Sequence, residues 1–188
     1  MRVRQNPWWR ATLFRAVSCG FISLLASCSF VSQAPVSPRL NSRYNDEQPS
    51  LSGNGRWLAF VSNRNGNREI LVYDLREQRL INYPGLNQGN AIAESPSLSR
   101  TGRYLVYLSS LQGRPDVALY DRATQRTEIL TLNYRGWVRN PQISPDGRYV
   151  VFETSRRGQW DIEVLDRGPA IEMDIPNGSP VIVPSPQP

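Results

Sequence analysis

Arginine and tryptophan provide most of the side chains in this sequence that could recognise a ligand. The 188-residue chain has 22 basic residues, all of them arginine, together with five tryptophans and no histidine. Without histidine or lysine it has no Ser-His-Asp, Cys-His or Ser-Lys machinery, no Schiff-base lysine and no imidazole metal ligand. Aspartate and glutamate are present, but nothing singles out a pair for glycoside hydrolysis. We therefore predict a binding protein, not an enzyme, with no cofactor and no metal.

The positive charge is concentrated near the N-terminus. The net charge is +6, but four arginines lie within the first fifteen residues and all 16 acidic residues follow Asn45. Beyond residue 27 the chain has 18 basic and 16 acidic residues, a net charge of +2. Nucleic-acid binding needs many basic residues to neutralise the phosphates, and this excess is too small for that. We therefore predict no nucleic-acid partner.

Three tandem repeats occupy most of the remaining chain. The same two spacings, 47 and 45 residues, separate three prolines, three glycines and three aspartates. These markers are Pro49, Pro96, Pro141, Gly55, Gly102, Gly147, Asp74, Asp121 and Asp166. Residues 44–87, 88–132 and 133–176 are therefore predicted to be three copies of one structural unit.

Each copy is predicted to be a four-stranded antiparallel sheet. An Asn-Gly, Thr-Gly or Asp-Gly pair marks a tight turn before a strand that is apolar on both faces. A hairpin loop leads to a third strand, and the aspartate marker begins the turn to a fourth. Residues 79–83 and 127–132 are the predicted fourth strands of the first two copies, and residues 170–175 are the candidate in the third. The fold class is all-β, with sheets that must stack to bury both faces.

One known repeat resembles these copies. The segment Pro141-Gln-Ile-Ser-Pro-Asp-Gly-Arg148, followed by an apolar strand and by Trp160-Asp-Ile-Glu-Val-Leu-Asp166, is similar to the repeat of the TolB C-terminal β-propeller. The resemblance implies a partial, three-blade propeller that contacts envelope proteins and takes part in envelope integrity or macromolecule transport. TolB itself has six blades and a separate α/β domain, and this chain matches neither. A carbohydrate- or peptidoglycan-binding module and an accessory module of a hydrolase remain alternatives.

Three blades leave two apolar faces without a neighbour. Repeat arrays with uncapped ends tend to associate. A homodimer could complete a six-bladed ring, the termini could cap the ends, or a different protein could do so. Self-association is the expectation that we favour.

The N-terminal segment is predicted to direct export. Residues 1–27 have a basic start, a short apolar run and a small-residue end, as signal peptides do. Leu25-Ala-Ser-Cys28 resembles the bacterial lipobox, which implies that Cys28 becomes the lipidated first residue of the mature protein and attaches it to a membrane. In a Gram-negative envelope, Ser29 would direct it to the outer membrane. An ordinary cleaved signal and an uncleaved anchor are the alternatives. Residues 28–43 read as a flexible tether, and residues 177–188 as a Pro-rich disordered tail.

One end of the predicted blades carries the candidate binding residues. The loops between second and third strands, and the connections between blades, should meet at this end. There, arginine and tryptophan would form a surface for an acidic envelope protein or a cell-wall glycan. Its residues are Arg64, Arg68, Arg114, Arg135, Trp137, Arg139, Arg156, Arg157 and Trp160.

Other charges recur once per copy and are predicted to support the strands through salt bridges or turn caps. They are Arg56, Arg103, Arg148, Glu69, Asp116, Asp161, Asp74, Asp121 and Asp166.

Overall fold

The protein is all-β, as predicted. A computed structural model describes residues 40–175, which form eleven antiparallel strands in three sheets. Cys28 and the predicted signal, tether and C-terminal tail lie outside these residues. Within residues 40–175 no helix is long and apolar enough to cross a bilayer.

Each repeat forms one sheet, which we call a blade. Blade 1 consists of β1 Asp46–Leu51, β2 Trp57–Ser62, β3 Glu69–Asp74 and β4 Arg79–Ile81. Blade 2 consists of β5 Ala93–Leu98, β6 Tyr104–Ser109, β7 Asp116–Asp121 and β8 Arg126–Ile129. Blade 3 consists of β9 Val138–Ile143, β10 Tyr149–Thr154 and β11 Asp161–Asp166. In every blade the strands pair in chain order.

The serine of the repeated Pro-x-(Leu/Ile)-Ser segment organises the first turn of each blade. The hydroxyls of Ser52, Ser99 and Ser144 each accept a hydrogen bond at 2.9 Å from the backbone N–H that opens the next strand. A local side-chain acceptor of this kind stabilises a turn against competing extended conformations. The serine is therefore part of the turn and is not available to a ligand.

Two apolar cores hold the blades together, one at each junction. The first lies between blades 1 and 2 and includes Trp57, Val72 and Tyr107. The second lies between blades 2 and 3 and includes Tyr104 and Phe152. Because the central strands of blade 2 are buried on both faces, this sheet exists only with a neighbour on each side.

The inner strands of successive blades lie side by side. The Ser50 hydroxyl accepts a hydrogen bond from the Leu98 N–H at 3.2 Å, and the Ser97 hydroxyl accepts one from the Ile143 N–H at 3.2 Å. The same bond thus joins β1 to β5 and β5 to β9. This arrangement of inner strands is that of a propeller segment.

Blade 3 lacks the predicted fourth strand. Residues 170–175 do not pair with β11, so the expectation for that segment is wrong. The chain turns away after Asp166 at Gly168, whose φ is +88°, and Pro169 has no N–H to give to a ladder. The segment instead runs back toward blade 2, where the Tyr104 hydroxyl donates to the Glu172 carbonyl at 2.5 Å.

Asp174 is the residue that ties this segment to blade 2. In blades 1 and 3 an Asn54 or Asp146 side chain accepts hydrogen bonds within the turn, but blade 2 has Thr101 at the equivalent position. The Asp174 carboxylate takes over this role: it accepts from the Ser99 hydroxyl at 2.6 Å and from the Thr101 N–H at 2.7 Å and hydroxyl at 2.5 Å. Only 4% of Asp174 is exposed, so no water can replace these bonds freely.

We predict that Asp174→Ala destabilises the fold by about 2 to 4 kcal/mol, because it leaves buried donors without an acceptor. The measurement is the free energy of unfolding in urea. Glu172→Ala is the matched control: it removes a carboxylate that is 77% exposed but leaves the carbonyl that Tyr104 uses. Equal losses in the two variants would show that Asp174 has no special role.

Candidate functional site

The hairpin loops and the connections between blades lie side by side. Each loop between second and third strands is hydrogen-bonded to the segment that precedes the inner strand of the same blade. The bonds run from the Asn63 N–H to the Asn45 carbonyl at 3.4 Å, from Ser110 to Ile92 at 3.0 Å and from Ser155 to Trp137 at 2.9 Å. The hairpin loops and the connections between blades therefore share one end.

Arg64 is built into blade 1. Its guanidinium donates to an Asp46 oxygen at 2.7 Å, to the Leu40 carbonyl at 2.8 Å and to the Ser62 hydroxyl at 3.0 Å. It also lies 5.4 Å from the centre of the Phe60 ring. With all these contacts inside the blade, Arg64 holds the segment at residues 40–46 against the sheet.

The Asp46 carboxylate depends on these contacts. Burial raises its pKa, but the hydrogen bonds from Arg64, Ser62 and Ser42 outweigh that effect and hold the pKa far below its ordinary value. The carboxylate is therefore ionised throughout the physiological range.

Arg68 and Arg114 also make internal contacts. Arg68 bridges two blades through Glu47 at 3.2 Å and Glu94 at 2.5 Å. Arg114 donates to the Thr131 carbonyl at 3.3 Å and pairs with Asp116 at 3.3 Å. Both residues lie at the end of the blades that the sequence predicted. Their guanidiniums, however, contact other parts of the protein: Arg68 links blades 1 and 2, and Arg114 contacts Asp116 and the segment that follows β8.

The other six predicted residues come together on blade 3, in what we call the blade 3 loop cluster. It consists of Arg135, Trp137, Arg139, Arg156, Arg157 and Trp160. Its two loops are in close contact: a Cβ added at Gly136 would lie 2.8 Å from the Arg156 backbone. The Trp137 N–H donates to the Ser155 hydroxyl at 2.9 Å. The loops thus support each other as one surface.

Two exposed indoles dominate the blade 3 loop cluster. Trp137 is 61% exposed and Trp160 is 45% exposed. The Arg139 guanidinium lies 3.9 Å from the centre of the Trp160 ring and pairs with Glu153 at 2.6 Å. A guanidinium stacked on an indole and held by a carboxylate is already oriented, so little entropy is lost when it contacts a ligand.

The remaining arginines of the cluster differ in how they are paired. Arg156 contacts Glu163 at 2.7 Å and Arg157 contacts Asp161 at 3.0 Å, and both pairs are accessible to solvent. Arg135 is exposed and makes no ion pair within residues 40–175. Since exposed ion pairs exchange readily, the cluster can offer cations to an acidic ligand around its two indoles.

The arginine and aspartate that recur in every copy form one salt bridge per blade, as predicted. Arg56 pairs with Asp74 at 2.8 Å, Arg103 with Asp121 at 3.3 Å and Arg148 with Asp166 at 2.9 Å. In blades 1 and 3 the arginine is the largest influence on the partner's pKa, which it lowers. These residues connect the second strand of each blade to the end of the third and are structural.

A repeated distortion of the inner strands was not predicted. Gln48, Ser95 and Asn140 have φ values of +52°, +52° and +51°, and the register of the inner strand shifts at each of them. Such bulges redirect neighbouring side chains. The proline that follows each of them was the available signal, because proline has no N–H to donate to a ladder and is confined to edge strands, strand starts and bulges. Glu47, Glu94 and Arg139 each directly precede the bulged residue of their own blade.

No group of three or more Asp, Glu, Cys or His side chains suited to a metal ion occurs between Leu40 and Ile175. The arrangement of the blade 3 loop cluster suits recognition of carboxylates and flat apolar groups.

We predict that Arg64→Gln makes the free energy of unfolding less dependent on pH in the acid range. Because the folded-state pKa of Asp46 is depressed below 3.8, its contribution is present above the unfolded pKa and is lost as pH falls through the acid range. In the wild type the urea midpoint should fall steeply between about pH 5 and pH 2. The fall should be shallower in Arg64→Gln and unchanged in Arg157→Gln, whose partner Asp161 is held chiefly by Gln159. Parallel curves for all three proteins would contradict the assignment.

Comparison with solved structures identifies the fold as TolB-like. TolB from Acinetobacter baumannii is 22% identical with a TM-score of 0.60 over 69% of this chain and 32% of its own. A putative TolB from Agrobacterium tumefaciens is 22% identical with a TM-score of 0.52 over 63% of this chain and 42% of its own. The chain therefore spans less than half the length of either structure.

A peptidase also contains a similar fold. A puromycin-hydrolyzing peptidase from Mycobacterium tuberculosis is 18% identical with a TM-score of 0.50 over 67% of this chain and 20% of its own. No protein-family model and no curated protein matches the sequence. The solved structures share a TolB-like β-propeller fold with this chain.

Proposed function

We propose that this chain is an exported, lipid-anchored protein of the bacterial cell envelope that acts as an interaction scaffold. Its TolB-like blades support this role, because propellers hold binding loops on a rigid framework. The single observation that carries the proposal is the blade 3 loop cluster, in which two exposed indoles lie among four arginines.

The proposed ligand of the cluster is an acidic segment of another envelope protein. Tryptophan and arginine are the residues that most often dominate protein interfaces. Arg139 is oriented by Trp160 and Glu153. Arg135 is exposed and has no ion-pair partner within the described part of the chain. An incoming carboxylate can therefore pair with Arg135 while an apolar neighbour packs on Trp137.

A cell-wall glycan is the second candidate, and the exposure of the indoles favours it. Sugar rings stack on flat aromatic faces, and Trp137 presents one at the end of blade 3. A glycan would depend on Trp137 more than on Arg135, whereas an acidic protein segment would depend on both.

The proposed anchor is Cys28, to which a lipid would be attached so that it holds the protein at the membrane surface. Cys28→Ala should abolish incorporation of labelled fatty acid and release the protein from membranes, because one acyl-bearing cysteine is the only lipid attachment site proposed. Cys19→Ala is the control and should retain both properties. Unchanged labelling in Cys28→Ala would exclude this anchor.

The partner is tested by photo-crosslinking in cells. A photoreactive phenylalanine at Asn133, an exposed residue beside the cluster, should capture a protein, and the same probe at Leu111, an exposed residue at the same end of blade 2, should not. Adding Arg135→Glu to the Asn133 probe should lower the yield at least about tenfold, since loss of an interface anchor costs roughly 2 kcal/mol or more.

Arg79→Glu reverses an exposed charge on β4 and should leave that yield unchanged. Capture of peptidoglycan fragments, without protein and without sensitivity to Arg135→Glu, would favour the glycan. Equal capture at Asn133 and Leu111 would exclude the blade 3 loop cluster as the site.

A further inference from the structure

Both internal junctions are built by the same interlocking contact. The turn glycine of each following blade lies directly on an aromatic ring of the blade before it. A Cβ added at Gly102 would lie 2.7 Å from Cδ1 of Trp57, and one added at Gly147 would collide with Tyr104. No side chain fits at either position, so the aromatic ring and the glycine form a matched pair.

Further contacts repeat around each pair. Leu98 of blade 2 and Ile143 of blade 3 enter the core that they share with the preceding blade. An arginine of the following blade also covers the aromatic ring: Arg122 lies 4.8 Å from the centre of the Trp57 ring, and Arg167 lies 4.4 Å from that of Tyr104. Each junction therefore has a receiving face and an inserting face.

Blade 3 has a receiving face with nothing on it among residues 40–175. Tyr149 is equivalent to Trp57 and Tyr104 and is 39% exposed. Val164 is 62% exposed, whereas the equivalent Val72 and Leu119 are 1% and 2% exposed. Ile162, on the same face, is 67% exposed. Apolar residues at equivalent positions are thus buried in the first two blades and open to solvent in the third.

Blade 1 has the complementary inserting face. Leu51 is 55% exposed, whereas the equivalent Leu98 and Ile143 are 7% and 9% exposed. A Cβ added at Gly55 would have no neighbour within 4 Å. Leu75, at the position of the arginines that cover the rings, is also exposed. The unpaired aromatic ring and the unpaired glycine therefore lie at opposite ends of the same array of blades.

We propose that the receiving face of blade 3 binds the inserting face of blade 1 in a second copy of this chain. The contact continues the two junctions already present in each chain, with Gly55 of one copy on Tyr149 of the other. Made twice in a reciprocal dimer, it closes six blades into a ring.

Among the described residues, those before β1 leave Leu51 and Gly55 uncovered. Leu40 and Asn41 line a cavity with Leu58 and Phe60 at the Asp46 end of β1, whereas the exposed Leu51 ends that strand and Gly55 lies in the turn that follows. The dimer depends only on the faces of the blades, so it does not rest on export, on the lipid anchor or on the ligand of the blade 3 loop cluster.

The test compares two glycine variants. The full-length gene is expressed, and the protein is purified from whichever cell fraction contains it, in density-matched detergent if membrane-bound. Sedimentation velocity should show twice the chain mass for the wild type at about 1 to 50 µM. Gly55→Asn should weaken dimerisation at least about 100-fold, because the new side chain meets Tyr149 of the other copy. Asparagine tolerates the positive φ of this position, so the monomer should fold.

Gly113→Asn is the matched control. Gly113 also has a positive φ, +81°, and no neighbour within 4 Å of an added Cβ, but it lies in the β6–β7 loop away from either face. The Gly113→Asn variant should remain dimeric. A second pair provides an independent check: Val164→Asp should be monomeric, and Leu132→Asp, at a residue that is 53% exposed outside the junction, should be dimeric.

A monomeric wild type across this concentration range would overturn the proposal. A wild type that forms open chains larger than a dimer would overturn ring closure. Dimers that persist in both Gly55→Asn and Val164→Asp would show that the copies associate through another surface. Far-ultraviolet circular dichroism and the urea midpoint establish that each variant is folded.

Discussion

The contact between a turn glycine and the aromatic ring of the preceding blade is the constraint on which this structure depends. Gly102 on Trp57 and Gly147 on Tyr104 set how closely successive sheets approach, because a single added carbon would push them apart. That approach buries both faces of the central strands in blade 2. Burial of each large side chain there contributes roughly 1.5 to 3 kcal/mol, and it is available only when blades are stacked.

Where the repeats are alike, their residues support the fold, and where they differ, exposed arginine and tryptophan side chains gather on blade 3. Arg56, Arg103 and Arg148 each repeat the same salt bridge to an aspartate in their own blade. In contrast, the position of Arg68 in blade 1 is occupied by Trp160 in blade 3, and that of Glu94 by Arg139. These exchanges replace an ion-pair network between blades with a stacked guanidinium and indole that face solvent.

Blade 3 also differs at its edge. Its chain leaves β11 after Asp166 and provides Asp174 to the turn of blade 2, which lacks an acceptor of its own because Thr101 replaces the Asn or Asp of the other turns. The same departure leaves β11 as an edge strand of the described sheet. A single local difference therefore stabilises blade 2 and leaves the outer edge of blade 3 unpaired.

The sequence alone determined the all-β fold, the number of blades and the structural role of the repeated Arg–Asp pairs, because the spacing of prolines, glycines and aspartates reports local turns and strands. Only the tertiary structure showed that Arg64 and Arg68 are bound internally while Arg139 lies on Trp160, and that residues 170–175 cross to blade 2. Those outcomes depend on which partners the folded chain brings next to each side chain, such as Asp46, Glu94 and Ser99, and the spacing of the repeated markers carries no information about them.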